Sequence, residues 1–136
     1  MTFKLHPQLA ADCFDLGELK LCRLLLMNDN RYPWIILVPQ RNNITEIFQL
    51  AESDQIQLAK ESIYLSRKMA DVFSADKMNV AALGNVVSQL HIHHVVRYET
   101  DTAWPAPIWG LGEAIEYEVE KFDLIKSKVE SIFNGF

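Results

Sequence analysis

Residues 86–98, VVSQLHIHHVVRY, alternate polar and apolar side chains and are rich in β-branched residues. Successive side chains of a strand point to opposite faces, and positions i and i+2 lie about 6.7 Å apart on one face. The stretch predicts a strand with Gln89, His91 and His93 on one side. Leu90, Ile92, His94 and Val96 fall on the other. The apolar members of the second set mark the core face. The polar row is then expected on the open side, within reach of a ligand. His94 interrupts the apolar set and is expected at the edge of the packed zone or in one structural hydrogen bond.

Periodicity and punctuation give the remaining elements. Residues 9–16 read as a short helix after Pro7. Residues 18–27 and 34–38 read as strands. The turn NDNRYP (28–33) joins them into an antiparallel hairpin, and Pro39 closes it. Thr45 could cap a short turn. A longer helix is expected over 53–73, with Asp54 near its N-terminus and an apolar stripe of Ile56, Ala59, Ile63, Ala70 and Phe73. Residues 77–83 form a strand broken by Gly84 and Asn85. A loop with Pro105 and Pro107 leads to a helix over 113–133, whose stripe is Ile115, Val119, Phe122, Val129 and Phe133. Its acids lead and its lysines follow, as the helix dipole favours. Strand, strand, helix, strand, strand, helix predicts an α+β fold: a mostly antiparallel sheet with a central helix and a C-terminal helix.

A chain of 136 residues, 49% hydrophobic, suits one packed domain spanning 1–136. No apolar run reaches the roughly 18–20 residues of a membrane span, and the first residues lack a signal-peptide block. Cys13 and Cys22 imply no disulfide framework and are expected as buried free thiols. These features predict a soluble, cytoplasmic protein without a membrane partner. Net charge is −5 and the basic residues are scattered. That argues against nucleic acid as partner, which requires a basic face. A small anionic ligand remains compatible, because backbone amides can hold phosphate.

Three readings of the row Gln89, His91, His93 stay open on the residues alone. The polar side chains could line a solvated sheet face. Alternatively, two imidazoles could ligate a metal, with further ligands from elsewhere. The cupin barrels pair His-x-His with a later Glu at a shorter spacing than the five residues between His93 and Glu99, and two long helices do not suit an all-β barrel. Lastly, a neutral imidazole could attack phosphorus and form a nucleotidyl-histidine intermediate. That chemistry needs one ring nitrogen free and the other fixed by a hydrogen bond, with a second polar group nearby for the phosphate oxygens.

QLHIHHV resembles the histidine triad (HIT) signature, in which histidines alternate with apolar residues. Upstream, NVAALGNVVSQLH is similar to the family's Asn, then a Gly-Gln or related pair, then the histidine strand. Downstream, WPAPIWG resembles the Trp-Pro segment of some branches. The resemblance covers roughly 18–98 as core, with the loop and helix of 99–136 following it. It implies a HIT-like fold, commonly a homodimer, and hydrolysis or transfer of nucleoside monophosphates from dinucleoside polyphosphates, nucleotide sugars or phosphoramidates.

Carried over residue by residue, the resemblance makes His91 the nucleophile and His93 a phosphate contact. Gln89 stands at the first triad position. Its backbone carbonyl would hold the other nitrogen of His91, and its amide could contact phosphate. Asn79 matches the ligand-facing asparagine, and Asn85 stands where Gln is usual. Departures are His94 at an apolar position, Asn42 and Asn43 near a Pro-Lys-x-His segment, and Trp34 where some branches carry another histidine. Trp34 itself is expected in or beside the core. No cofactor is required on this reading, although Mg²⁺ could accompany the nucleotide. The alternatives are a phosphate- or nucleotide-binding protein without turnover, and a His-x-His metalloprotein. Trp104 and Trp109 could stack on a base or, more simply, anchor their own loop.

Overall fold

The structure is a computed structural model that describes residues 2–134. Met1, Gly135 and Phe136, which belong to the expected 1–136 unit, lie outside the described residues. Among the described residues, five strands make one antiparallel sheet: β1 (Cys13–Glu18), β2 (Cys22–Met27), β3 (Trp34–Pro39), β4 (Lys77–Ala81) and β5 (Ile92–Arg97). Their spatial order is β1-β2-β3-β5-β4. Helices α1 (Pro7–Asp12), α2 (Glu52–Val72) and α3 (Val119–Ile132) accompany them. This is the α+β, antiparallel architecture that the element order predicts.

One sheet face packs on α2 and α3, through Leu26, Ile35 and Val96 against Leu65, Met69 and Val129. Each fully buried aliphatic side chain there contributes about 1.5–3 kcal/mol. The other face carries the histidine row. It is covered by Leu9 of α1, by Phe3 and Leu5 before it, and by Ala103, Ile108 and Trp109 of the loop after β5. The polar row is therefore not open: His91 is 7% exposed and His93 5%.

Several local expectations are corrected. The helix expected over 9–16 stops at Asp12, because Cys13 turns extended and residues from 13 onward pair with β2. The strand expected over 18–27 begins only at Cys22; Glu18 instead ends β1, where Gly17, at φ 114°, lies in the register shift between Asp15 and Glu18. The strand expected over 86–98 is laddered only over Ile92–Arg97. Its neighbours end there: β3 pairs as far as Leu37↔Ile92 and β4 as far as Ala81↔His93. Residues 86–91 run on outside the ladder, with the Leu90 N–H donating to the Ile44 carbonyl at 2.9 Å.

In α2 the buried face is Leu58, Glu61, Leu65 and Met69, while Ile56 and Ile63 of the expected stripe are 52% and 59% exposed. A charged residue sits in the core-facing row, and that hides the row from a hydrophobicity count. Glu61 is fully buried because its carboxylate accepts the backbone N–H groups of Leu21 (2.9 Å) and Cys22 (3.0 Å) at the entrance to β2. Residues 113–118, expected as the first turns of the last helix, lie outside any helix. Their backbone is taken by the β2–β3 turn: Tyr117 N–H donates to Asn28 Oδ1 (2.9 Å), and Asn30 N–H to the Ile115 carbonyl (2.7 Å). Helix α3 consequently starts at Val119 and buries Ile125, Val129 and Ile132.

His94 lies in the centre of the packed layer rather than at its edge, with no exposed surface. Its Nδ1 meets the Ile92 carbonyl at 3.1 Å, so Nδ1 carries the proton and Nε2 accepts from the Ser62 hydroxyl of α2 at 2.7 Å. Burial depresses its pKa from 6.5 to about 4, against the opposing pull of the Ile92 and Ile35 carbonyls.

Candidate active site

Strand alternation and register set the row. His93 stands between Ile36 of β3 and Ala81 of β4, while His94 stands between Ile35 and Val80 on the opposite face. The His91 and His93 rings lie 4.9 Å apart, near perpendicular.

Each imidazole is fixed by one partner of unambiguous polarity. His91 Nδ1 lies 2.7 Å from the backbone carbonyl of Gln89. A carbonyl only accepts, so Nδ1 carries the proton and Nε2 keeps its lone pair. His93 Nδ1 lies 3.0 Å from Nε1 of Trp34. An indole only donates, so Nδ1 accepts and the proton of the neutral ring sits on Nε2. The two rings therefore expose complementary nitrogens, a lone pair on one and an N–H on the other. Burial, reinforced by His91 and His94, lowers the His93 pKa from 6.5 to about 3, which keeps it neutral at physiological pH.

Around His93 the aromatic residues close in. Trp34 lies 5.6 Å and Trp109 5.3 Å from it, and the two indoles meet edge to face at 6.3 Å. Beyond them opens a cavity of about 400 Å³ between α1, the β2–β3 turn and the loop after β5; Trp34, Trp109, Asn28, Asp29 and Glu116 line it. Beside His91, by contrast, the cavity bounded by Thr45, Gly84, Ser88 and Gln89 measures only about 20 Å³.

A family model described as HIT domain matches residues 8–100. The chain belongs to the histidine triad family. Over 99% of its length it is 49% identical to a histidine triad protein from Marinobacter aquaeolei, covering 98% of that chain at a TM-score of 0.97. A histidine triad protein from Sinorhizobium meliloti is 40% identical over 97% of this chain and 98% of that one, with a TM-score of 0.94. One from Bradyrhizobium japonicum is 37% identical over 96% and 98%, also at 0.94. Among curated proteins none matches. Membership supports a nucleotide-binding or hydrolase-type role.

In this HIT protein the other expected site residues are placed as follows. Gln89 directs its carboxamide away from the row: Nε2 donates to the Lys4 carbonyl (2.9 Å) and Oε1 accepts from the His6 N–H (2.8 Å). Asn79 pairs with Val95 in register, on the face of the histidine row, and its Oδ1 accepts from Arg97 Nη1 at 2.8 Å. Asn85 is exposed in the bend after Gly84 and is not among the residues bounding the cavity beside His91. Among the described residues, no group of three or more His, Cys, Asp or Glu side chains is arranged to hold a metal ion. Neither thiol is a ready nucleophile: burial and then the Asp12 charge push Cys13 up to about 12, and burial together with Glu61 raises Cys22 as well.

Sequence reasoning missed two residues of this HIT site. Trp34 is one, as the hydrogen-bond partner of His93. Its role depends on the β3–β5 register, which no local pattern encodes. The other is Arg97, four positions past His93 and on the same face by parity. It is 2% exposed, takes Asp101 through Nε (2.8 Å) and Nη2 (3.0 Å), and lies over the rings of Tyr32 and Trp104. Burial works to raise the Asp101 pKa, yet Arg97 and the Tyr98 and Trp104 amides hold it at about 2. Alternation alone could have flagged Arg97 as a member of the row. Trp104 thus anchors its loop, while Trp109 borders both His93 and the large cavity.

Proposed function

We propose that this protein is a nucleotide hydrolase or nucleotidyl transferase, acting on a phosphoanhydride or phosphoramidate of a nucleoside monophosphate through a nucleotidyl-histidine intermediate. The observation that carries this reading is the pair of complementary tautomers. His91 offers a lone pair on Nε2, and His93 offers an N–H on Nε2. The Nε2 of His91 attacks the α-phosphorus and forms an N–P bond. The bond to the leaving oxygen or nitrogen breaks, and that atom leaves with the electron pair and is protonated from solvent. The positive charge on the His91 ring is stabilised at Nδ1–H by the Gln89 carbonyl. His93 donates to a phosphate oxygen, where negative charge develops, and the amide of Asn79 contributes a second donor. Water or another hydroxylic acceptor then attacks phosphorus and releases its proton to solvent, the N–P bond breaks, and the lone pair returns to His91.

The cavity behind Trp34 and Trp109 has the size and mixed lining of a small-molecule site, and those two indoles, which line it, also lie against His93. It would hold the nucleoside, with Trp109 beside the base. Asn85 would reach phosphate only through a shift of its loop. No cofactor is required on this reading, and Mg²⁺ could accompany the nucleotide. A cytoplasmic setting belongs to the same reading and agrees with the free state of Cys13 and Cys22. So does a homodimer: β4 is an outer strand of the sheet, Val80 on it is 48% exposed, and Ile56 and Ile63 present apolar surface from α2.

A second reading, nucleotide binding without turnover, is favoured by the narrowness of the space beside His91. The deciding experiment incubates wild type and His91→Ala with dinucleoside polyphosphates and nucleoside phosphoramidates, and looks for nucleotidylated protein by intact-mass spectrometry. Turnover and an adduct lost in His91→Ala support the enzyme. AMP binding with neither supports the binding protein, and absence of both binding and turnover removes both.

A further inference from the structure

The side chain of Gln89 poses a question that the chemistry of the row leaves open. It contacts neither histidine. Its two hydrogen bonds bracket residue 5 from both sides, to the Lys4 carbonyl and the His6 N–H, as a neighbouring strand would. Residues 2–6 cross the sheet face at the His91 end of the row. Phe3 and Leu5 rest half-buried on the layer that includes Ile36, Val38 and Val87, and Arg23 lies near the Phe3 ring. A third tie, Asn42 Nδ2 to the Thr2 carbonyl at 3.2 Å, holds the far end of the segment. Residues 2–6 belong to no strand of the sheet.

At this end the site is shut. The cavity beside His91 has room for about one water molecule, and His91 is 7% exposed. A phosphoryl group approaching Nε2 needs more space than that; Gln89 is among the residues that bound this space, and because it is tied to Lys4 and His6, freeing it requires residues 2–6 to move. Laddered strands are costly to displace. A segment held by side-chain hydrogen bonds is not, because water replaces those bonds at small net cost.

We propose that residues 2–6 are a strap latched by Gln89, closed in this structure, and that the strap lifts to let a phosphate reach His91. Gln89 is then a positioning residue acting through the strap and not a phosphate ligand. The inference rests on the nucleotide reading above, but its latch is measurable without nucleotide.

The test compares wild type, Gln89→Ala and Asn42→Ala by hydrogen exchange of the His6 amide, followed by NMR, and by AMP affinity from calorimetry. In Gln89→Ala the His6 amide loses its acceptor and exchanges about fivefold faster or more. The same variant binds AMP about fivefold tighter, because the open, competent state is more populated. Asn42→Ala, which removes one hydrogen bond at a half-buried position, moves both readouts in the same direction by less. A merely structural role for Gln89 would weaken AMP binding instead. Unchanged His6 exchange in Gln89→Ala overturns the latch, and equal or weaker AMP affinity overturns the gate. If no variant binds AMP while His6 exchange accelerates, the latch stands, and both the nucleotide reading and the gate built on it fall.

Discussion

The indole of Trp34 donates to Nδ1 of His93 across 3.0 Å, from the first residue of β3 to the second of β5. One hydrogen bond therefore selects the tautomer of the residue proposed to donate to phosphate.

Removing that donor tests its worth. Trp34→Phe keeps most of the ring but leaves Nδ1 buried without a partner, at a cost of about 1–3 kcal/mol by urea denaturation. The neutral ring is then free to move its proton to Nδ1, and turnover falls about tenfold or more. Were stability to fall with kcat unchanged, the tautomer assignment would have no catalytic consequence.

Arg97 holds Asn79 by its carbonyl oxygen, so the amide NH₂ is the end left for a ligand. Asn79→Asp keeps the acceptor for Arg97 and removes the donor. Its melting temperature should stay at or above that of wild type while nucleotide affinity drops about tenfold or more. Arg97→Met strands the buried Asp101 charge and should lower stability by about 3–5 kcal/mol, read by the same denaturation experiment.

Acid should destabilise the fold in a defined window. His93 and His94 have folded-state pKa values of about 3 and about 4, below the ordinary 6.5. Between those limits the unfolded chain binds protons that the folded chain refuses, so stability falls as pH falls from about 6.5 toward 4. Two such groups give a slope of up to about 2.7 kcal/mol per pH unit. Asp101, ordinarily at 3.8 and held at about 2, adds its loss only below 3.8. Urea midpoints from pH 7.5 to 4.5 should show the decline, and His94→Gln should roughly halve its slope. A flat profile would contradict the buried neutral state of both rings.

The split of the adjacent histidines was legible from the sequence because alternation is local: His93 lies on one face of β5 and His94 on the other, whereas Gln89 precedes the strand and gives its side chain to Lys4 and His6. What was hidden depends on partners distant in the chain. Residues 113–118 carry helix-forming side chains, yet Asn28 and the backbone of Asn30 take their peptide groups. The buried face of α2 was misjudged because Glu61 belongs to it. The link from Trp34 to His93 needs a strand register, and the use of Gln89 needs a segment 83 residues earlier.

Glu61 accepts three hydrogen bonds, from the Leu21 and Cys22 amides and from Gln57 Nε2 at 2.8 Å. Glu61→Gln retains one amide-accepting oxygen and should cost about 1–3 kcal/mol. Glu61→Ala strands both backbone donors and should cost more. Thermal unfolding would order the variants wild type, Gln, Ala. Equal melting temperatures would mean that water reaches the start of β2.

The proposed pairing of two chains predicts that light scattering on wild type gives twice the chain mass of 15.6 kDa. Ile63→Glu, which puts a charge into exposed apolar surface, should return it to a single chain with its melting curve little changed. A wild-type mass of one chain would dispose of the homodimer.

His91 is oriented by the main-chain oxygen of residue 89, an atom every amino acid supplies. Substitution there leaves the aim of the nucleophile untouched. That position is therefore a free variable for evolution: its side chain can be recruited to another task, as the amide of Gln89 has been, while the reacting imidazole keeps its pose.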